Sequence, residues 1–132
     1  MTSTSPRFYR VGEGGFVVEA MVQHLGDDVL VSLWGGAAHI GASAMAQPRP
    51  SLADPSRRSA TASVFCYVGH KEDEVVKDVS ERRAAELGSR VVVVAGLHWD
   101  GIDASGIEQV MANVRTLVRE ILVQEMNRTC HE

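Results

Sequence analysis

Three histidines stand where the chain changes direction: in Ala38-His39-Ile40-Gly41, in Gly69-His70-Lys71-Glu72-Asp73-Glu74 and in Leu97-His98-Trp99-Asp100. Each follows a stretch patterned like a strand, and each has glycine, acid or both beside it. Junctions of this kind are where rigid elements hold binding and catalytic groups in place. Gly35, Gly36 and Gly41 lack a Cβ and so permit close backbone approach to whatever lies against them. The chemistry on offer is imidazole as donor, acceptor or metal ligand, carboxylate as acceptor, and the indole of Trp99 as a stacking surface.

Several chemistries are compatible with these residues. Gly69 ahead of a helix start exposes backbone N–H groups that suit an anion, and His70 and Lys71 add donors and positive charge. Against a phosphate stand Glu72, Asp73 and Glu74, which repel an anion and steady the helix start through its dipole. Taken by themselves, these acids favour a structural helix start. His39, His70, His98, Asp73 and Asp100 supply ligand types for zinc or iron, but no pair has the spacing of a compact metal motif. Cys66 falls inside an apolar strand pattern, where a thiol is inert, and no serine lies in a nucleophile elbow. Trp99 has two readings, as a stacking partner for a planar ligand or as a seal on the end of the core.

The elements that must position these residues follow from periodicity. Val18, Ala20 and Val22 alternate with Glu19, Met21 and Gln23, which predicts a strand over 16–25. Gly26-Asp27-Asp28 supplies a turn, and 29–34 is the second strand of a hairpin. A third strand is expected at 41–46, and a fourth, β-branched and aromatic, at 61–68. Between them, 47–59 holds three prolines and three arginines and reads as a surface loop. A helix is predicted over 71–87 with Gly88 as its stop, then a strand over 90–97 so apolar that both faces are expected to be buried. The last helix, 105–126, carries Ile107, Val110, Val114, Leu117, Val118 and Ile121 at helical spacing, a face broad enough to spare some for a subunit interface. The fold class is therefore α+β: a mostly antiparallel sheet with two helices packed against it, in the order β-β-β-β-α-β-α.

Composition bounds the rest. The 132 residues suit a single domain over 1–132, with a loose leader at 1–8 and a frayed C-terminus at 127–132. A net charge of −4 argues against a general nucleic-acid binder. The longest strongly apolar run, Val91 to Leu97, is far short of the ~20 residues that span a bilayer, so no membrane association is expected. Two cysteines do not make a disulfide framework, and a polar start without an apolar core segment behind it suits a cytoplasmic protein.

Taken in order, Gly35-Gly36-Ala37-Ala38-His39-Ile40-Gly41, then Gly69-His70-Lys71-Glu72-Asp73, then Val93-Val94-Ala95-Gly96-Leu97-His98-Trp99-Asp100 resemble a known bacterial family. It is that of the small subunit-D-type proteins associated with gallate decarboxylase, prenylated-flavin chaperones related in fold to proteasome assembly chaperones. The resemblance runs from about Gly12 to Met126. It departs at Ala38, where Pro-His-Ile-Gly is expected, and a departure in length is expected in the loop 47–59.

The resemblance implies a carrier, not an enzyme, that binds prenylated FMN or FMN and passes it to an aromatic-acid decarboxylase. In that reading Gly35, Gly36, Gly41 and Gly69 let backbone approach the cofactor. His70 and Lys71 meet its phosphate beside Asp73, and His39, His98, Trp99 and Asp100 face the ring system. A homodimer is the expected assembly. Two alternatives come from other classes: a small metal-dependent enzyme using His39, His70, His98 and Asp100, and a homodimeric assembly chaperone with no cofactor.

Overall fold

Strand alternation sets the layers. The computed structural model describes residues 4–67 and 72–129. Six strands, β1 (Arg7–Val11), β2 (Val18–Leu25), β3 (Asp28–Gly36), β4 (Ala42–Pro50), β5 (Arg58–Cys66) and β6 (Val91–His98), form one sheet in the order β1-β2-β3-β6-β4-β5. Helices α1 (Asp73–Leu87) and α2 (Ala104–Thr129) follow β5 and β6. Among the described residues four strand pairings are antiparallel and one, β3 with β6, is parallel. The sheet is thus mixed but mostly antiparallel, as the α+β reading expects.

Directly paired residues share a face of the sheet. Ala20 pairs with Leu33, Leu33 with Ala95 and Ala95 with Ala42, so the buried residues of four strands all point the same way. Onto this face α2 brings Val110, Val114, Leu117, Val118 and Ile121, and α1 brings Val75, Val76, Val79 and Ala84. Small residues line the α1 side of the sheet: Ala42, Ala44, Ala46 and Ala60 let that helix approach closely. Among the described residues no element covers the other face, and Phe8, Met45 and Phe65 stand exposed on it. No helix among the described residues is long and apolar enough to cross a membrane.

Four expectations need correction. Residues 7–8, assigned to a loose leader, belong to an added edge strand. Tyr9 and Val11 of β1 turn inward while Phe8 and Arg10 turn out, and two arginines in five residues mask that alternation. Gln23 also donates to the Thr4 carbonyl (3.0 Å), holding the approach to β1. The loop 47–59 shrinks to 51–57, because Pro48 and Pro50 lie within β4 opposite Ala60 and Arg58. Proline is tolerated there because β4 pairs with β6 only through Ala46, so its other edge is open beyond that point. Helix α2 continues to Thr129, three residues into the expected frayed end, with buried Glu125 anchoring its last turns. Strand β6 is not buried on both faces: Val91, Val93 and Ala95 are, while Val92 and Val94 are half-exposed on the open face.

Helix α1 ends as predicted at Gly88, whose φ of 66° is the left-handed conformation glycine adopts without strain. The Arg58 guanidinium donates to the carbonyls of Ala85 and Glu86, satisfying two of the helix's last acceptors.

Beneath the helices lies a polar cluster. Glu125, fully buried, accepts from the Tyr9 hydroxyl (3.1 Å) and pairs with His24. Arg83 on α1 is fully buried too, and its guanidinium has no hydrogen-bond partner among the described residues. Burial, then the Glu125 charge, pushes the Tyr9 hydroxyl up to about 12. Burial lowers Arg83 from its ordinary value, and Glu125 opposes that shift.

Candidate functional site

The parallel pair β3/β6 places two strand carboxyl ends side by side, the end of an open sheet where ligand crevices commonly form. There the chain leaves β3 at Gly36, crosses the end of β6 through 37–41 and enters β4. Three backbone bonds hold this crossing. Ala37 N–H donates to the His98 carbonyl and Gly41 N–H to the Ala95 carbonyl, both at 2.9 Å, while Tyr67 N–H donates to the Gly41 carbonyl.

His39 rides on the crossing. Its Nδ1–H donates to the Ala37 carbonyl at 2.8 Å, which fixes the ring against its own loop. Its Nε2 lies 3.3 Å from Oε1 of Glu72. Glu72 immediately precedes α1, yet its carboxylate makes no capping bond to that helix. It reaches across to β6, where Leu97 N–H donates to Oε1 at 3.2 Å. One buried carboxylate thus ties the helix start, the end of β6 and the histidine loop together. Asp73 and Glu74, next in the chain, are exposed.

The His98 ring stands edge-on to His39, with centroids 6.4 Å apart and planes at 85°. Its Nε2–H donates to Asp100 Oδ1 at 2.9 Å, and both side chains are well exposed. Two imidazole–carboxylate pairs, one half-buried and one at the surface, therefore share the rim of the sheet. Such pairs offer donors and acceptors to the polar edge of a ligand. Cys66 of β5 sits opposite Ala42 in the strand register. Among the described residues no group of three or more histidine, cysteine or acidic side chains is arranged to hold a metal ion.

Of the residues singled out from sequence, His39, His98 and Asp100 converge here. Trp99 turns away from them: its ring packs edge-on against Phe16 (5.6 Å between centroids) and lies over Gly35. It takes the core-sealing role of the two readings. Phe16 is in turn held by Asn113 of α2, whose amide donates to the carbonyls of Glu13 and Phe16. The glycines admit the chain itself where the sequence reading gave their space to a ligand. A Cβ on Gly35 would stand 2.6 Å from Trp99, one on Gly36 1.9 Å from the His98 carbonyl oxygen, and one on Gly41 2.4 Å from the Glu72 carboxylate. Asp73 opens α1 at the surface. Gly69, His70 and Lys71 lie outside the described residues.

Two organising residues escaped the sequence reading. Gly96 lies directly under His39: a Cβ there would be 1.7 Å from the His39 carbonyl oxygen. Glu72 was grouped with its two acidic neighbours. The signal that separates them, burial at the strand end, exists only after folding.

Comparison with known proteins places this geometry in context. Residues 12–126 match the family described as the prenylated flavin chaperone LpdD-like domain. No curated protein matches the sequence. Among solved structures, a chain from a chaperone complex for yeast 20S proteasome assembly is similar in fold, with a TM-score of 0.51 and 9% identity. The match covers 86% of this chain and 98% of that one.

Proposed function

This chain belongs to the prenylated flavin chaperone LpdD-like family, and from that premise we propose that it is a reversible carrier of prenylated FMN. In this reading it hands the cofactor to an aromatic-acid decarboxylase and performs no chemistry on it. The observation that carries the reading is the convergence of His39 and His98 at the shared carboxyl end of β3 and β6, each with its own carboxylate. Imidazole and carboxylate side by side provide the donors and acceptors that the polar edge of a flavin ring system needs. His70 and Lys71 are the residues assigned to the phosphate. Asp73 at the start of α1 and Gly69 border that group, while Gly35, Gly36, Gly41 and Trp99 shape the site from behind without touching the cofactor.

A carrier differs from an enzyme in what its site must supply. Reversible loading requires modest affinity from a few directional contacts, and tight enclosure would slow release. The exposed His98–Asp100 pair suits this, since it remains accessible to solvent and to an incoming acceptor protein. The Glu72 bridge has the complementary task of keeping His39 in one orientation before the cofactor arrives, which lowers the ordering cost of binding. Operation in the cytoplasm as a homodimer completes the reading.

The test is a titration of the purified chain with prenylated FMN, followed by visible absorbance. A spectral shift and chromophore retained through gel filtration are expected. His39→Ala and His98→Ala should each weaken binding roughly tenfold, about the value of one directional polar contact. Thermal melts of the same variants separate weakened binding from unfolding. A wild-type chain that retains no chromophore and shifts no absorbance overturns the proposal.

A further inference from the structure

We propose that the indole of Trp34 is the surface on which the flavin ring system lies, the role that the sequence reading gave to Trp99. The proposal rests on the carrier reading above and deepens it by naming the group that recognises the plane of the ring. The chain has two tryptophans. Trp99 is committed to the core, with Phe16 edge-on against it and Gly35 beneath it. Trp34 belongs to β3 and is half-buried on the face of the sheet that carries no helix.

Strand register sets Trp34 beside the histidines. It pairs with Gly96 across the parallel ladder, and His98 stands two residues beyond Gly96 on the same strand. Residues two apart along a strand share a face, so Trp34 and His98 project from the same side of the sheet. At about 3.3 Å per residue and roughly 4.8 Å between strands, their Cβ atoms are roughly 8 Å apart. Gly96 itself offers Trp34 no side chain. The position its Cβ would occupy is taken by the 37–41 crossing, with the His39 carbonyl oxygen 1.7 Å and the His39 ring carbon Cγ 3.2 Å from that point. Trp34 therefore meets His39 across a single strand spacing, roughly 4.8 Å. One indole and two imidazoles border the same patch at the carboxyl end of β3 and β6.

The indole is also held ready. Its Nε1–H donates to Glu19 Oε2 at 3.1 Å, and Glu19 stands opposite Arg10 in the register of β1 and β2. That bond fixes the ring from the β2 side and engages its one polar group, since an indole donates and does not accept. What Trp34 has left to offer a ligand is its π-face, which suits a flat, extended ring system. Among the described residues no other aromatic ring packs on Trp34, whereas Trp99, Phe65 and Tyr67 each have a ring partner. The two kinds of recognition are then complementary: His39 and His98 read the polar edge of the flavin, and Trp34 reads its plane. A side chain fixed before the ligand arrives adds little ordering cost to binding, which fits a site that must load and unload.

Titration of the full chain with prenylated FMN, followed by visible absorbance, tests the contact. Trp34→Leu should weaken binding roughly tenfold, the value of one ring stacked on an aromatic side chain, and Trp34→Phe should restore most of that loss. Ordinary FMN supplies a signature that a purely structural role would not move, because its emission is quenched by an indole in van der Waals contact. FMN bound to the wild type is expected to be dark, and FMN bound to Trp34→Phe clearly brighter. Thermal melts of both variants check the fold, and if Trp34→Leu does not fold, the emission from Trp34→Phe decides. Affinity of Trp34→Leu within about threefold of the wild type overturns the proposal, as does FMN that stays equally dark on Trp34→Phe. A wild type that takes up no flavin overturns the carrier reading itself. One that takes it up, with affinity and emission unchanged in both variants, overturns the Trp34 contact alone.

Discussion

Two clusters of histidine and carboxylate occupy opposite ends of this sheet, and they differ in what surrounds them. At one end Glu125 meets Tyr9 and His24 near Arg83, all under α1 and α2, with Arg83 and Glu125 inaccessible to solvent. At the other, Glu72 holds His39 and a backbone amide, and the His98–Asp100 pair beside them lies open. The residue types are nearly the same. In the first cluster Tyr9, His24 and Glu125 are consumed by one another, with the Arg83 charge enclosed beside them, and this fixes how α2 lies on β1 and β2. In the second, groups with exchangeable partners remain at the surface. Burial, more than composition, separates a polar group that organises the fold from one that can receive a ligand.

The largest effect is expected where a buried charge loses its counterion. Glu125→Gln should cost about 3 kcal/mol of stability in urea denaturation, because Arg83 is then left without its compensating carboxylate. Adding Arg83→Met to that variant should regain much of the loss. An unchanged urea midpoint for Glu125→Gln alone would show that the closed cluster is dispensable. Next comes Gly96→Ala at the open end. Its new methyl collides with the His39 carbonyl, so the 37–41 crossing must shift, at a cost of about 2 kcal/mol and with loss of the flavin-induced absorbance change. Retained binding in this variant would break the link between the crossing and the site.

The smallest effect concerns pH. Tyr9 is raised from 10 to about 12 in the fold, so the unfolded chain releases this proton first. The corresponding stability is complete below pH 10 and is lost as the pH climbs toward about 12. Tyr9→Phe should flatten stability against pH in that alkaline window, as read by thermal melts at stepped pH. An identical slope in both proteins removes Tyr9 from the closed cluster.

Much of the fold was legible because strands and helices announce their periods. The alternation of Val18, Ala20 and Val22 and the stop at Gly88 both match what forms. What escaped depended on partners distant in sequence. Arg7–Val11 becomes a strand because β2 offers it an edge, and Pro48 and Pro50 are tolerated in β4 because β6 ends its pairing at Ala46. The site shows the same division. His39, His98 and Asp100 could be chosen by type and position, whereas Glu72 could not be told from Asp73 or Glu74 until β6 supplied the Leu97 amide. Trp99 had two readings in the sequence, and Phe16, held by Asn113 nearly a hundred residues away, decides between them.

The position of β6 also bears on how the protein comes to be made. It is the last strand to leave the ribosome, yet it lies in the middle, hydrogen-bonded to β3 on one side and β4 on the other. Before it arrives, β1-β2-β3 is a meander and β4-β5 a hairpin, with no strand pairing between them among the described residues. Its insertion closes contacts some sixty residues apart along the chain in β3, a slow kind of event for a small domain. The same insertion brings Leu97 to Glu72 and His98 to His39. Completion of the sheet and assembly of the candidate site are therefore one step.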